Sequence, residues 1–280
     1  MSELRTLLSG LVVGESPRWH DGRLWFANWG AEEIVAITED GAAEVVGKGP
    51  KPAGYSIDWL PDGRMLITGH DRLLRVEPDG SVVTHADLSA LPDGWNELVV
   101  HDNGAIYVNS IAFSFGEEEF RPGVIAVVKP DGTVRQVAEN VAFPNGMVIT
   151  PDGSTLVVAE SWAGTLTAFD IEPGGGLSNR RVWAPYGGDG LTIDAEGAIW
   201  ASDMAGDKPL VRRIREGGEV LEEIGLDEAC FACMLGGDDG RTLFLMVAEW
   251  RGIERMGELF QATTGRILST RVSVPRAGRP

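Results

Sequence analysis

Short segments in which apolar residues alternate with polar or small ones recur along the chain, and turns that contain glycine join them. In residues 187–203, the apolar run 191–193 leads into a turn at Gly197, and an alternating run to Ser202 follows. Alternation with a period of two residues predicts half-buried β-strands, and a glycine turn between two such strands predicts a hairpin. Helical periodicity is not sustained in the sequence, and only residues 227–233 show a short helix-like pattern.

This hairpin pattern occurs six times. Successive copies are 41 to 49 residues apart, close to the period of about 40–45 residues of a four-stranded propeller blade. The copies have turn glycines at Gly22, Gly63, Gly104, Gly153, Gly197 and Gly240. A second series of glycine turns lies between them, at Gly41, Gly80, Gly132, Gly175, Gly217 and Gly265. The sequence therefore predicts an all-β fold, a six-bladed β-propeller with four antiparallel strands per blade, in which residues 1–280 form a single domain.

The composition agrees with this fold and narrows the range of partners. The 280 residues include 37 glycines and 15 prolines, which suits a fold with many turns, and 43% of the residues are hydrophobic, enough for a substantial core. A formal net charge of −18 disfavours nucleic acid and anionic membranes, because both attract clustered Lys and Arg. No apolar run is long enough to span a bilayer and the first residues do not resemble a secretion signal, so we expect a cytoplasmic protein with no membrane partner.

The chain contains two cysteines, Cys230 and Cys233, in a C-x-x-C arrangement. Without a further cysteine or histidine pair, this arrangement is weak evidence for a zinc site. We therefore expect ordinary buried thiols at these two positions.

The repeat also predicts which residues meet in space, because the first strand of each propeller blade lines the central channel. The residues seven or eight positions before the turn glycines are Glu15, Ser56, Asn96, Asn145, Asp189 and Cys233. Four of them, Glu15, Asn96, Asn145 and Asp189, carry the carboxylate or amide oxygens that calcium, magnesium and manganese prefer. Each of the four taken alone is explained as a turn residue beside a glycine. Their common register favours a cation site at one end of the channel, and the lack of histidine in this register disfavours a zinc site built on histidine.

The ends of the second strands are predicted to surround the same end of the channel. Trp29, Trp162 and Trp250 stand at three of these ends and suggest contacts to an apolar or ring-shaped substrate, although tryptophan also packs between blades. His70 stands at another end and is a candidate for substrate binding or proton transfer, the alternative being an ordinary surface residue. Extra residues at 111–123 form either a lid over the pocket or a longer solvated connection.

The motifs around these residues resemble those of the senescence marker protein, regucalcin and gluconolactonase family of six-bladed propellers, over nearly the whole chain. The motifs are G-E-S-P-R-W at Glu15, N-x-L-V-V at Asn96, F-P-N-G-M at Asn145, D-G-L-T-I-D-A-E-G-A-I-W at Asp189 and M-L-G-G after Cys233. The resemblance implies that Glu15, Asn145 and Asp189 hold one divalent cation, calcium first, with manganese, magnesium or zinc as alternatives. It also implies that Asn96 is a fourth ligand or a substrate contact, and that Asp189 is the catalytic general base.

Members of this family open the lactone rings of sugar acids, so the resemblance implies an enzyme of the lactonase or carboxylic ester hydrolase class with a small-molecule lactone or ester as substrate. In such a site, a metal-polarised carbonyl is attacked by a water that an aspartate assists. Gly94 and Glu97 depart from the family pattern, in which an arginine stands two residues before the asparagine and an aspartate directly after it. Together with the tryptophans at the rim, this departure leaves room for a less polar lactone or ester.

Three other functions remain open on the sequence. The same site would serve a non-catalytic calcium-binding or regulatory protein, or a phosphotriesterase-like hydrolase, because an oxygen-ligated cation polarises P=O as well as C=O. A propeller that has lost its metal and acts as an interaction platform is disfavoured, because all four oxygen-bearing residues are present.

Overall fold

The computed structural model describes residues 3–51 and 54–278, and these residues form a six-bladed β-propeller. The predicted all-β fold with four antiparallel strands per blade is confirmed. Blade one consists of β2 (Val13–His20), β3 (Arg23–Trp29), β4 (Glu33–Ile37) and β5 (Ala43–Lys48). Blade two consists of β6 (Ile57–Trp59), β7 (Met65–Thr68), β8 (Arg72–Val76) and β9 (Val82–Asp87). Blade three consists of β10 (Trp95–Val100), β11 (Ile106–Ser110), β12 (Gly123–Val128) and β13 (Val134–Val141). Blade four consists of β14 (Pro144–Ile149), β15 (Thr155–Glu160), β16 (Thr165–Ile171) and β17 (Leu177–Ala184). Blade five consists of β18 (Leu191–Ile193), β19 (Ile199–Ala205), β20 (Lys208–Ile214) and β21 (Val220–Gly225). Blade six consists of β22 (Ala229–Gly236), β23 (Thr242–Ala248), β24 (Gly265–Arg271) and β1 (Arg5–Leu11).

The sixth blade closes the ring with strands from both ends of the chain. The strand β1 pairs antiparallel with β24, from Arg5 opposite Ser269 to Leu11 opposite Gly265. The N-terminal strand is thus the outermost strand of a blade whose other three strands are C-terminal. Closure by backbone hydrogen bonds joins the first and last blades into one ring.

Glycine is needed at the turns for conformational reasons. The six turn glycines that define the repeat have φ angles between 71° and 85°, a region in which a residue with a side chain is strained. Gly265 differs from the rest of the second series, because it begins β24 instead of forming a turn. A Cβ atom there would lie 2.7 Å from the Val12 carbonyl oxygen and 2.9 Å from that of Leu11, so this glycine permits the close approach of the ring-closing strands.

The short helix-like pattern at residues 227–233 does not form a helix. Most of this segment belongs to β22, which pairs with β23 along its whole length and has a register shift between Cys230 and Ala232. Pairing inside the sheet overrides the weak local preference. The helical residues lie after β23, in a 3₁₀ turn at Ile253–Arg255 and the short helix α1 at Met256–Leu259. Within the described ranges, no helix is long and apolar enough to cross a membrane.

The inner strands of the blades contact one another around the central channel, and apolar clusters fill the spaces between neighbouring blades. Trp200 illustrates this packing, because it is fully buried on β19 and clusters with Leu235 of β22 and Leu243 of β23 in the next blade. This packing holds the inner ends of the blades in fixed positions, and the candidate site lies at one end of the channel between them.

Candidate active site

A cavity of about 400 Å³ opens at one end of the channel. Its wall includes the four oxygen-bearing residues that the repeat singles out, and we call them the floor residues: Glu15, Asn96, Asn145 and Asp189. They come from four different blades, on β2, on β10, on β14 and just before β18. The propeller therefore gathers on one surface residues that are far apart in the sequence.

The floor residues lie where the inner strands depart from regular pairing. The three inner ladders that carry Glu15, Asn96 and Asn145 each have a register shift at these residues, and Asp189 precedes β18 and lies outside its ladder. The shifts fall between Glu15 and Arg18, between Trp95 and Leu98, and between Pro144 and Met147. Bulges of this kind redirect side chains and are common next to active sites.

Glycines next to the floor residues allow the inner strands to approach one another closely. A Cβ atom on Gly146 would lie 2.7 Å from both the Asp189 carbonyl oxygen and the Leu191 nitrogen. A Cβ atom on Gly190 would lie 2.6 Å from the Cβ of Ala232. A side chain at Gly146 would push Asn145 away from Asp189, and one at Gly190 would push the Asp189 segment away from β22, which explains the N-G and D-G sequences in physical terms.

Asn109, on β11, binds the backbones of the floor residue Asn145 and of Glu97, which follows the floor residue Asn96. Its side chain is fully buried, accepts a hydrogen bond from the Glu97 nitrogen (3.1 Å) and donates one to the Asn145 carbonyl oxygen (2.7 Å). Asn96 itself donates to the Pro144 carbonyl oxygen (3.2 Å). These bonds tie β10 to β14 and fix the separation of the two amide side chains.

Glu15 and Asp189 are carboxylates in a poorly solvated place. Burial, followed by repulsion from Asp189 and Glu97, raises the pKa of Glu15 well above its usual value, although the Ser16 amide and Arg18 act against this. Burial and repulsion from Glu97 likewise raise the pKa of Asp189 to about 8. The Oδ1 atom of Asp189 is buried and has no hydrogen-bond partner in the protein. The site therefore holds two buried carboxyl groups whose charged forms its own donors do not stabilise.

A buried ionic group lies deeper in the channel. The Arg18 guanidinium donates to the Glu97 carboxylate (3.2 Å) and to the Leu98 carbonyl oxygen (2.7 Å), and its Nε lies 3.9 Å from Asp58. All three charged side chains are buried. Sequence reasoning did not assign Arg18 or Glu97 to the site, although each stands inside one of the quoted motifs, Glu97 directly after Asn96 and Arg18 three residues after Glu15.

The floor residues fit a hard divalent cation. Two carboxylates and two amides offer the oxygen ligands that such ions prefer, and the unpartnered Asp189 Oδ1 is a buried acceptor that requires a positive partner. No cluster of three or more His, Cys, Asp and Glu side chains with metal-binding geometry occurs in the part of the chain that the structure describes. Only two floor residues, Glu15 and Asp189, belong to these four residue types. The other two floor residues, Asn96 and Asn145, offer amide oxygens.

The other two residues of the register, Ser56 and Cys233, are buried and do not belong to the wall of this cavity. Cys233 donates from its thiol to the Trp200 carbonyl oxygen (3.3 Å), and burial raises its pKa. Cys230 is half-buried in the cavity wall, and burial raises the pKa of its thiol too. Both cysteines are free thiols, as the sequence predicts.

The three rim tryptophans all line the cavity, whereas His70 does not. Trp162 and Trp250 are exposed, and the indole of Trp29 donates to the Tyr55 carbonyl oxygen (2.7 Å), which also anchors it in the protein. His70 is exposed on the surface with its ring 3.3 Å from Asp93, so the structure does not bring it together with the floor residues.

Residues 111–123 contribute to the cavity wall. Phe115 lines the cavity, and the Phe120 ring stacks on Trp162 with centroids 5.0 Å apart. Gly116 touches a second loop, because a Cβ atom on it would lie 3.1 Å from Met256 Cε. Met256 also lines the cavity, so the loops after β11 and after β23 meet beside it. The sequence did not indicate the loop between β23 and β24 as part of the site. The predicted glycine turn at Gly265 gave no sign of the helical turn in this loop.

Comparison with known proteins relates these features to a family. The family described as SMP-30/Gluconolactonase/LRE-like region matches residues 13–249. Pentonolactonase XacC of Haloferax volcanii is 26% identical over 294 residues, covering 100% of this chain and 97% of that protein, and gluconolactonase of Zymomonas mobilis is 22% identical, covering 84% and 77%. The crystal structure of a calcium-binding protein, regucalcin from Agrobacterium tumefaciens, superposes with a TM-score of 0.79 at 21% identity, covering 100% of this chain and 97% of that one.

The match extends over the inner strands that carry all four floor residues, and the two named relatives belong to the expected lactonase class of enzymes. The resemblance seen in the sequence motifs is thereby confirmed. This chain belongs to the SMP-30/gluconolactonase/LRE-like family.

Proposed function

We propose that this protein is a metal-dependent hydrolase that opens a lactone or a related carboxylic ester. The observation that carries the proposal is the convergence of the four floor residues on one cavity wall, with the buried Asp189 Oδ1 unpartnered among them. The lactonases among the relatives support the reaction class.

The cation would be held by Glu15, Asn145 and Asp189, with Asn96 as a fourth ligand or as a contact to the substrate. Calcium suits this oxygen set best, and manganese, magnesium or zinc are alternatives. When bound there, the cation would supply polarisation of the substrate carbonyl and stabilisation of the negative charge that develops on its oxygen.

The protein's own groups supply the proton transfer. The water oxygen forms a bond to the carbonyl carbon, the ring C–O bond breaks, and the proton released from water passes through the Asp189 carboxylate to the leaving alkoxide. Asp189 is suited to this role because its Oδ1 has no competing donor. Its backbone is fixed on both sides: the Asp189 nitrogen donates to Ser202 Oγ (3.1 Å), and Ser161 donates to the Gly188 carbonyl oxygen.

The test is hydrolysis of a panel of lactones and esters by purified protein, with EDTA and with calcium, manganese, magnesium or zinc added back. We expect activity that EDTA removes and one of these ions restores. Asp189→Ala should abolish hydrolysis and weaken cation binding, whereas the exposed Asp207→Ala should leave both unchanged. A fully active Asp189→Ala protein with its cation bound would disprove the assignment.

A non-catalytic calcium-binding protein is the second candidate, because a structural neighbour is described as a calcium-binding protein. The same panel separates the two functions when a phosphotriester is included. Tight calcium binding without turnover of any lactone, ester or phosphotriester would favour the binding protein, and turnover of the phosphotriester alone would favour a phosphotriesterase-like hydrolase.

A further inference from the structure

Above the floor residues, aromatic side chains line the cavity on two sides. One side, which we call the first aromatic wall, consists of Phe115, Phe143 and Trp162, with the Phe115 and Phe143 rings 4.8 Å apart. The second aromatic wall consists of Phe231, Trp250 and Phe260, with the Phe231 and Trp250 rings 6.1 Å apart. The first wall comes from blades three and four, and the second comes from blade six and the loop after β23.

Three further polar side chains of the cavity, those of Ser161, Ser202 and Asp203, have partners within the protein. The Ser161 hydroxyl donates to the Gly188 carbonyl oxygen, and Ser202 Oγ accepts the Asp189 amide. Asp203 pairs with Arg212 and also accepts the Met204 amide. Among the described residues that line the cavity, none is Lys, Arg or His.

This arrangement selects against polyhydroxylated and anionic substrates. Each substrate hydroxyl that loses water without gaining a partner weakens binding by roughly 5- to 100-fold. A carboxylate or phosphate group held between the aromatic side chains would lose its water without a basic residue in the cavity wall to receive it. Apolar groups, by contrast, gain from leaving water for contact with aromatic rings.

The mouth of the cavity has the same character. Trp162 is 53% exposed, Met204 49% and Trp250 39%, and these are among the most exposed large apolar side chains in the described part of the chain. Apolar side chains that are exposed together around a cavity mark a ligand-binding surface.

We propose that the substrate is a neutral lactone or ester with an aromatic ring or an alkyl chain, which is held between the two aromatic walls while its carbonyl lies at the floor residues. This inference rests on the proposed hydrolase function and specifies its substrate class. The cavity volume of about 400 Å³ is within the range of small-molecule sites, roughly 300–1,000 Å³.

Three δ-lactones with the same six-membered ring provide a matched test: δ-valerolactone without a substituent, δ-decalactone with a pentyl chain, and D-glucono-δ-lactone with hydroxyls. In a pH-indicator assay corrected for spontaneous hydrolysis, we expect kcat/KM for δ-decalactone to exceed that for δ-valerolactone by at least about tenfold. D-Glucono-δ-lactone should be no better than δ-valerolactone. Trp162→Ala should lower the ratio of δ-decalactone to δ-valerolactone by about 3- to 10-fold, whereas Val182→Ala, exposed on β17 away from the cavity, should not change it.

The outcomes separate this inference from the proposed function. If D-glucono-δ-lactone is the best substrate, or if Trp162→Ala leaves the ratio unchanged, the apolar substrate class is wrong while the hydrolase stands. If no lactone is turned over with any cation, calorimetric titration with 6-pentylpiperidin-2-one, the lactam with the same ring and chain, decides. Binding that Trp162→Ala weakens would support the apolar site and overturn the hydrolase, and no binding would overturn both.

Discussion

The floor and the mouth of the cavity differ in how the chain builds them. The floor residues stand at one register of a sixfold repeat, on inner strands that pack against one another around the channel. The mouth is formed by the loops between β11 and β12, between β15 and β16 and between β23 and β24, and by the end of β19. The floor is polar and short of hydrogen-bond donors, and the mouth is aromatic and partly exposed.

This difference assigns separate tasks to the two regions. Inner strands packed on all sides hold charged and amide groups in fixed positions, which catalysis requires. Loops tolerate insertion, and they are the usual place for substrate selection on a rigid scaffold. Changes in the floor should therefore affect reaction and cation binding strongly, and changes in the mouth should affect substrate preference.

The largest expected effect follows from Glu15→Gln, which preserves shape and removes a buried charge. Loss of a direct ligand should lower activity by more than about 100-fold, since even outer partners of metal ligands typically contribute 10- to 100-fold. The same change should stabilise the cation-free protein. Because the pKa of Glu15 is raised in the folded state, the wild type binds more protons folded than unfolded above about pH 4, so its stability falls as the pH rises.

Glu15→Gln removes this loss of stability at higher pH, so the stability of the variant relative to the wild type should increase from pH 5 to pH 8. Thermal unfolding in EDTA at both pH values is the measurement, and a rise in Tm of ~2 °C or more is expected at pH 8. The exposed Glu139→Gln serves as the control and should change neither Tm nor activity. Unchanged activity in Glu15→Gln would show that the floor does not use this carboxylate as a ligand.

A smaller effect is expected from Gly146→Ala, which tests the spacing within the floor. The added Cβ atom would meet backbone atoms of residues 189–191 at 2.7–2.8 Å, and backbone atoms have little freedom to move. Overpacking of this kind costs about 1–3 kcal/mol of unfolding free energy and should displace Asn145 from Asp189.

Gly174→Ala is a matched control, because a Cβ atom there meets nothing within 4 Å and the φ angle is ordinary. For Gly146→Ala, urea denaturation should show a lower unfolding free energy and cation titration a weaker affinity. For Gly174→Ala, neither quantity should change. Equal stability of the two variants would mean that the inner strands can separate without cost.

The sequence predicted the floor better than the mouth, and the reason is physical. The repeat determines both the strand pattern and the register, so Glu15, Asn96, Asn145 and Asp189 follow from counting back from the turn glycines. The blade that closes the ring is not encoded in the repeat, because it depends on pairing between strands at opposite ends of the chain.

The contacts made by the inserted loops are also non-local. The approach of Gly116 to Met256 joins loops of blades three and six, and no local pattern indicates it. The same holds for Arg18 and Glu97, which are recognisable as motif residues although their buried pairing appears only in three dimensions. The short helix-like pattern at residues 227–233 does not form a helix, because pairing within a buried sheet overrides a weak local preference.

The smallest expected effect is that of Phe120→Ala, which changes the mouth without touching the floor. Phe120 stacks on Trp162 from outside the cavity wall, and an aromatic pair of this kind contributes about 0.5–1.5 kcal/mol to stability. We expect a loss of unfolding free energy in that range, and a KM for δ-decalactone raised about threefold because Trp162 becomes less ordered. The kcat value should stay within about twofold, since the floor residues are unchanged. Val82→Ala, exposed on β9 in another blade, is the control for removing a surface apolar group. A fall in kcat as large as the rise in KM would show that the mouth loops also position the reacting groups, and the separation of tasks between floor and mouth would then be wrong.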